Sequence, residues 1–167
     1  GQVCEACQVG KLHRLLFPNE RNRSQNWLDL IHSDVWGLTQ NVSLGGSHYF
    51  VTFIDDYTRH TWACLIEKKS EVFASFLKVK SLAEREIGRK IKCLRSDGGE
   101  EYFSDQFSSY LQKEGIRHEY SCRFTPQRNG VAERKNQTID KAARAMLEEK
   151  HMPKFYWAEA VRTTIYL

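Results

Sequence analysis

The chain has 167 residues, 41% of them hydrophobic and 28% charged. That is enough apolar material for one ordinary domain with a buried core, and too much for a chain disordered throughout. No apolar run approaches the roughly 18 residues of a membrane-crossing helix, and the 25 basic against 21 acidic residues leave a net charge of +4, which permits a polyanionic partner without demanding one.

Residues 1–26 read differently from the rest. Cys4-x-x-Cys7 is followed by Lys11, His13, Arg14, Arg21 and Arg23, with a turn at Pro18-Asn19. This has the look of the tail of a preceding module joined to a basic linker. The chain opens at Gly1 and closes at Leu167 inside an apolar helical pattern, so it reads as a piece of a longer protein. From Trp27 the pattern becomes regular. Trp27–Val35 predicts a mostly buried strand, and Tyr49–Ile54 and Thr61–Ile66 predict a hairpin around the polar turn Asp55-Asp56-Tyr57-Thr58. A helix starts near Ser70, with Val72, Phe73, Phe76, Leu77, Val79, Ala83 and Ile87 at helical spacing, and ends at Gly88. Lys90–Arg95 is a short strand. Ser104 caps a helix that carries Phe107, Tyr110 and Leu111 and stops at Gly115. Ile116–Ser121 is a fifth strand. Thr125–Gly130 is a loop, followed by a helix to about Lys150 with Ile139, Ala142, Ala143, Met146 and Leu147 on one face. Pro153 opens a last helix with Phe155, Tyr156, Trp157 and Val161. Three leading strands followed by alternation predict an α/β fold with a mixed sheet flanked by helices. Of the five cysteines, Cys64 and Cys93 lie in apolar runs as core thiols. The odd number and scatter fit a reducing intracellular compartment.

Three carboxylates stand where α/β folds gather their sites. Asp34 and Asp97 end strands, and Glu133 lies in the first turns of the long helix, on the flank of its apolar face. Acids from three separate elements can supply the shared oxygens that a pair of hard divalent cations requires. Spacing alone leaves the matter open, because the chain holds 21 acids.

The blocks around those acids are more specific. Asp34, 62 residues, Asp97, 35 residues and Glu133 reproduce the D,D(35)E pattern of retroviral-type integrases. His32-Ser-Asp-Val-Trp-Gly37, Phe53-Ile-Asp-Asp-Tyr-Thr-Arg59, Arg95-Ser-Asp-Gly-Gly-Glu100 and Thr125-Pro-Gln-Arg-Asn-Gly-Val-Ala-Glu-Arg134 resemble the integrases of copia-type LTR retrotransposons over essentially the whole chain. The resemblance implies a ribonuclease H-like fold with a mixed five-stranded sheet. It also implies 3′-end processing and strand transfer of element DNA into target DNA, with Asp34, Asp97 and Glu133 as catalytic ligands of two Mg²⁺ or Mn²⁺ ions. Residues 1–26 would then be the end of a His/Cys zinc module plus linker, with Cys4 and Cys7 half of a Zn²⁺ site, and 27–167 the catalytic core. The resemblance further implies DNA partners, a homo-oligomer, and work in the nucleus and in cytoplasmic virus-like particles. A related transposase or metal-dependent nuclease, and a domesticated DNA-binding descendant without catalysis, are the competing readings.

Arg128, Asn129, Arg134, Lys135 and Lys141 are the candidate DNA contacts. Two positions where the retroviral relatives carry basic residues, four and seven beyond the Glu, hold Gln137 and Asp140 here, and Leu38 stands where the family usually has Pro. Asp55 and Asp56 read as turn residues, His32 as a core histidine, Glu100 and Glu101 as surface acids, and Gly98-Gly99 as a backbone turn. The helices holding Phe73/Phe76 and Phe155/Trp157 are candidates for contacts between subunits.

Overall fold

A computed structural model describes residues 23–120 and 129–166. Cys4, Cys7, Cys122 and Arg128 lie outside the described residues, as does most of the Thr125–Gly130 loop. Five strands form one mixed sheet: β1 (Ile31–Trp36), β2 (Tyr49–Asp55), β3 (Thr61–Ile66), β4 (Cys93–Ser96) and β5 (Arg117–Tyr120). Their order is β3-β2-β1-β4-β5. β2 runs antiparallel to β1 and β3, and β4 runs parallel to β1 and β5. The helices are α1 (Val72–Ile87), α2 (Asp105–Glu114), α3 (Gly130–Glu149) and α4 (Trp157–Tyr166).

The helix ends follow local chemistry. Ser104 accepts a bond from the Phe107 N–H at the start of α2, satisfying a backbone donor the helix cannot use internally. Gly88 (φ 72°) and Gly115 (φ 69°) end α1 and α2 in the left-handed region, which glycine enters without a Cβ clash.

β1 starts four residues later than the sequence pattern predicts. Its lead-in is a turn with Leu28 at φ 62°, held because the Leu28 N–H donates to Asp55 Oδ1 at 2.8 Å. The apolar character of Trp27 and Leu28 reflects burial under the sheet rather than strand pairing; Leu28 is wholly buried. Asp55 Oδ2 also accepts from the Thr58 N–H and hydroxyl, both at 2.8 Å, which closes the β2–β3 turn. Asp56 takes the Ser24 N–H on Oδ2, and His32 and Arg59 on Oδ1, while its carbonyl takes the Arg23 guanidinium. The acid pair is therefore structural, and Arg23 and Ser24, read as linker, bond to the core.

Period-two alternation divides the core. Along β1, Ile31 and Val35 pack with Phe53, Phe76 and Phe107 under α1 and α2. Trp36 instead joins Phe50, Ile139, Ala143, Ala160 and Val161 under α3 and α4. Phe76 is wholly buried with its ring 5.9 Å from Phe53 and 5.2 Å from Phe107, so it is spent within its own core. Cys93 is buried and Cys64 half-buried, both as free thiols.

Candidate active site

Asp34 shares β1 with residues that alternate between the two helical layers, and its side chain faces α3. β4 lies beside β1 and runs parallel to it, so Asp97, next after Ser96, emerges from the same end of the sheet. Glu133 enters from the first turn of α3, which packs against β1 and β2. The topology thus brings all three predicted acids toward one place.

Their charges register on Asp34. It is 8% exposed. Burial is the largest cause of its raised pKa, and the Asp97 and Glu133 charges push in the same direction. An Asn136 bond opposes them, and the carboxyl rests at about 7, far above an ordinary aspartate. At neutral pH it is therefore divided between acid and carboxylate. Asp97 Oδ1 accepts from the Gly99 N–H at 3.0 Å. Gly99 itself has φ −67° and ψ 139°, so this turn does not call on left-handed freedom. Among the described residues no three His, Cys, Asp or Glu side chains converge closely enough to hold one ion between them.

Sequence reasoning missed the supports of Asp34. Asn136, fully buried, donates from Nδ2 to Asp34 Oδ2 at 3.1 Å and to its carbonyl at 3.4 Å. The Thr52 hydroxyl donates to Asn136 Oδ1 at 2.7 Å. That bond sets which end of the amide faces Asp34, since an oxygen there would oppose the carboxylate. Beyond β1, the Ser33 hydroxyl bonds the buried Tyr102 phenol at 2.8 Å. The available signal was polar residues on the buried side of an amphipathic helix: Asn129, Glu133 and Asn136 are spaced four and three apart, along one stripe.

Asn129 does not present its side chain to solvent as a DNA contact would. It is fully buried, and its Nδ2 donates to the Ser33 carbonyl at 3.2 Å. It sits at the N-cap of α3 without capping it by its side chain, so it ties helix to strand instead. Arg134 and Lys141 are exposed and Lys135 is half-buried. The Arg134 guanidinium lies over Gly130, 2.8 Å from where a Cβ would stand. Gln137 is exposed. The acid at Asp140 is met by Arg144 Nε at 2.8 Å, so this part of the helix face is not a bare negative charge. His32 is wholly buried, with Nε2–H donated to Asp56 at 2.7 Å. Burial lowers its pKa, leaving a neutral core histidine. Glu101 pairs with Lys69 at 3.6 Å and Glu100 is exposed.

Residues 28–126 match the family described as Integrase core domain. The chain belongs to this family. The integrase core is 49% identical over 98% of its length to the retrovirus-related Pol polyprotein from transposon TNT 1-94 of Nicotiana tabacum, covering 12% of that protein. It is 35% identical, over 98% of its length and 11% of the relative, to that from transposon RE2 of Arabidopsis thaliana. The chain thus spans about a tenth of the curated relatives it matches, and it groups with copia-type elements. Its fold matches the simian T-cell lymphotropic virus intasome, solved with the PP2A regulatory subunit B56 gamma, at TM-score 0.74 and 17% identity, covering 98% of this chain and 56% of that one. It also matches the HTLV-2 integrase catalytic core in complex with magnesium, a trimeric form, at TM-score 0.62 and 17% identity, covering 86% of each chain. The mixed sheet is ribonuclease H-like.

Proposed function

We propose that this integrase core carries out 3′-end processing and strand transfer of retrotransposon DNA, with Asp34, Asp97 and Glu133 as the catalytic acids. The observation that carries the reading is Asp34, a buried carboxyl raised to about 7 in part by the charges of the other two. Three all-oxygen donors on separate elements suit hard cations, and a cation among them would offset both the burial and the like-charge repulsion that favour a proton on Asp34. Two Mg²⁺ or Mn²⁺ ions, when bound, supply activation of the attacking water or 3′-hydroxyl and neutralisation of charge at the scissile phosphate.

The chain's own residues supply the rest. With cations bound, Asp34 would stand as a full carboxylate, its proton lost to solvent, and Asn136, fixed by Thr52, holds it in orientation. Asn129 ties the start of α3 to β1, so Glu133 approaches Asp34 at a set height. Arg134, Lys135 and Lys141 offer phosphate contacts on the same helix, with Arg128 preceding it. Oligomerisation, expected because two element ends must be joined together, fits the intasome and trimeric forms of the structural relatives. Cys4 and Cys7 would belong to a Zn²⁺ site of the longer protein, and the site of action would be the nucleus and virus-like particle.

The test is metal-dependent joining of labelled element-end oligonucleotides to a target duplex. Joining with Mg²⁺ or Mn²⁺ that is abolished by Asp97→Asn and by Glu133→Gln supports the reading. Nicking without joining assigns a nuclease instead. DNA binding untouched by either substitution, with no cleavage at all, assigns a non-catalytic binder.

A further inference from the structure

The three acids come from separate elements, and the sheet ladder alone does not set their spacing. β1 and β4 pair at Ile31↔Leu94 and His32↔Arg95. The same offset carried forward would bring Asp34 level with Asp97, but the pairing ends two residues short of them. Glu133 belongs to a helix, which joins no ladder. The contacts of one buried residue span the gap.

Ser33 is wholly buried. By strand alternation its side chain lies on the face of the sheet opposite Asp34, with Ile31 and Val35. There its hydroxyl shares a hydrogen bond of 2.8 Å with the phenol of Tyr102, also wholly buried. Tyr102 closes the turn that follows Asp97. Its N–H donates to the Gly99 carbonyl at 3.1 Å, and the Gly99 N–H donates to Asp97 Oδ1 at 3.0 Å. An unbroken path therefore runs from the Asp97 carboxylate to the residue before Asp34. The Ser33 carbonyl accepts from Asn129 Nδ2 at 3.2 Å, and Asn129 is the N-cap residue of the helix that carries Glu133 in its first turn. Packing alone does not call for the hydroxyl pair. Alanine and phenylalanine in these places would leave no polar group to satisfy, and such a paired replacement can be nearly neutral for stability.

We propose that Ser33 is a positioning residue for the whole acid triad, with Tyr102 as its brace on the Asp97 turn. Its hydroxyl fixes the turn behind Asp97, its carbonyl fixes the start of the Glu133 helix, and its own peptide bond carries Asp34. The acid side chains keep their rotational freedom; what is fixed is the backbone from which each reaches for a cation. Groups behind metal ligands commonly set affinity in this way. The inference rests on the integrase reading and adds to it what holds the acids at their spacing.

The experiment uses the 167-residue chain and Mn²⁺ alone as the probe, its binding followed by loss of the free-ion electron paramagnetic resonance signal. Urea unfolding in chelator gives stability separately. Tyr102→Phe and Ser33→Ala should each bind Mn²⁺ about ten- to a hundredfold more weakly than the parent, and each should unfold at lower urea because one buried hydroxyl is left unpartnered. The double variant decides between positioning and mere stability. With both hydroxyls gone its urea midpoint should return toward the parent's, while its Mn²⁺ binding stays weak. Single variants that bind Mn²⁺ as tightly as the parent overturn the proposal alone. So does a double variant whose Mn²⁺ affinity recovers along with its stability. A parent that binds no Mn²⁺, or binds it equally well as Asp97→Asn, overturns the triad reading and the positioning role together.

Discussion

Asp34→Asn isolates the cost of keeping a charge in the acid pocket. Asparagine preserves the shape and can still accept the Asn136 bond through its Oδ1, but carries no charge. In the folded protein the Asp34 pKa rises from 3.8 to about 7. The folded state therefore holds this proton more tightly than the unfolded chain does. The stabilisation from that proton is fully present below about pH 4 and gone above about pH 7. At about 1.4 kcal/mol per unit, the ceiling is on the order of 4 kcal/mol. Urea unfolding in chelator from pH 4 to 8 should show the variant and the parent equally stable at the acid end. The variant should gain steadily through the window, ending a few kcal/mol ahead at pH 8. Mg²⁺ at pH 8 should then stabilise the parent by mass action and leave the variant largely unmoved, while the variant loses joining. A stability difference that stays flat across pH would refute the idea that burial and like charges together hold a proton on Asp34.

Thr52→Val keeps volume but removes the donor to buried Asn136 Oδ1; we expect a loss of about 1–3 kcal/mol in unfolding free energy and a higher Mg²⁺ requirement for joining, and an unchanged requirement would remove Thr52 from the site's support. Phe76→Ala should destabilise by about 3–5 kcal/mol, read as a lower urea midpoint, with no change in the stoichiometry of assembly because this ring is internal. Burial alone would raise the Asp56 pKa, but the bonds from His32 and Ser24 and the Arg59 charge hold it well below the usual carboxylate range. The stability it confers is present above about pH 4 and declines as pH falls further. Asp56→Asn should therefore be less stable than the parent at pH 7, with the gap narrowing in acid; a gap of constant size from pH 7 to 3 would show that the carboxylate charge is not what matters.

The element order was readable because each piece announces itself locally: β-branched and aromatic residues in β2 and β3, helical spacing in α1, and Gly88 and Gly115 at helix ends. The acids were readable through their spacing and flanking blocks. What escaped has a common physical origin. The start of β1 depends on Asp55 reaching back to Leu28 across 27 positions, and no periodicity encodes that. Asn136 and Asn129 look like ordinary surface polar residues until the helix is laid against the sheet. Loop composition then suggested that Asn129 was free to meet DNA, whereas its partner is a carbonyl 96 positions earlier.

The Asp56 carboxylate and carbonyl have a practical consequence for anyone trimming this protein. A fragment that begins at Trp27, where the regular pattern starts, would discard the Arg23 and Ser24 donors and expose one flank of a carboxylate that also steadies His32, two places from Asp34. Cutting a few residues earlier costs nothing in size and keeps that latch shut, so the place to trim is set by the turn that follows β2.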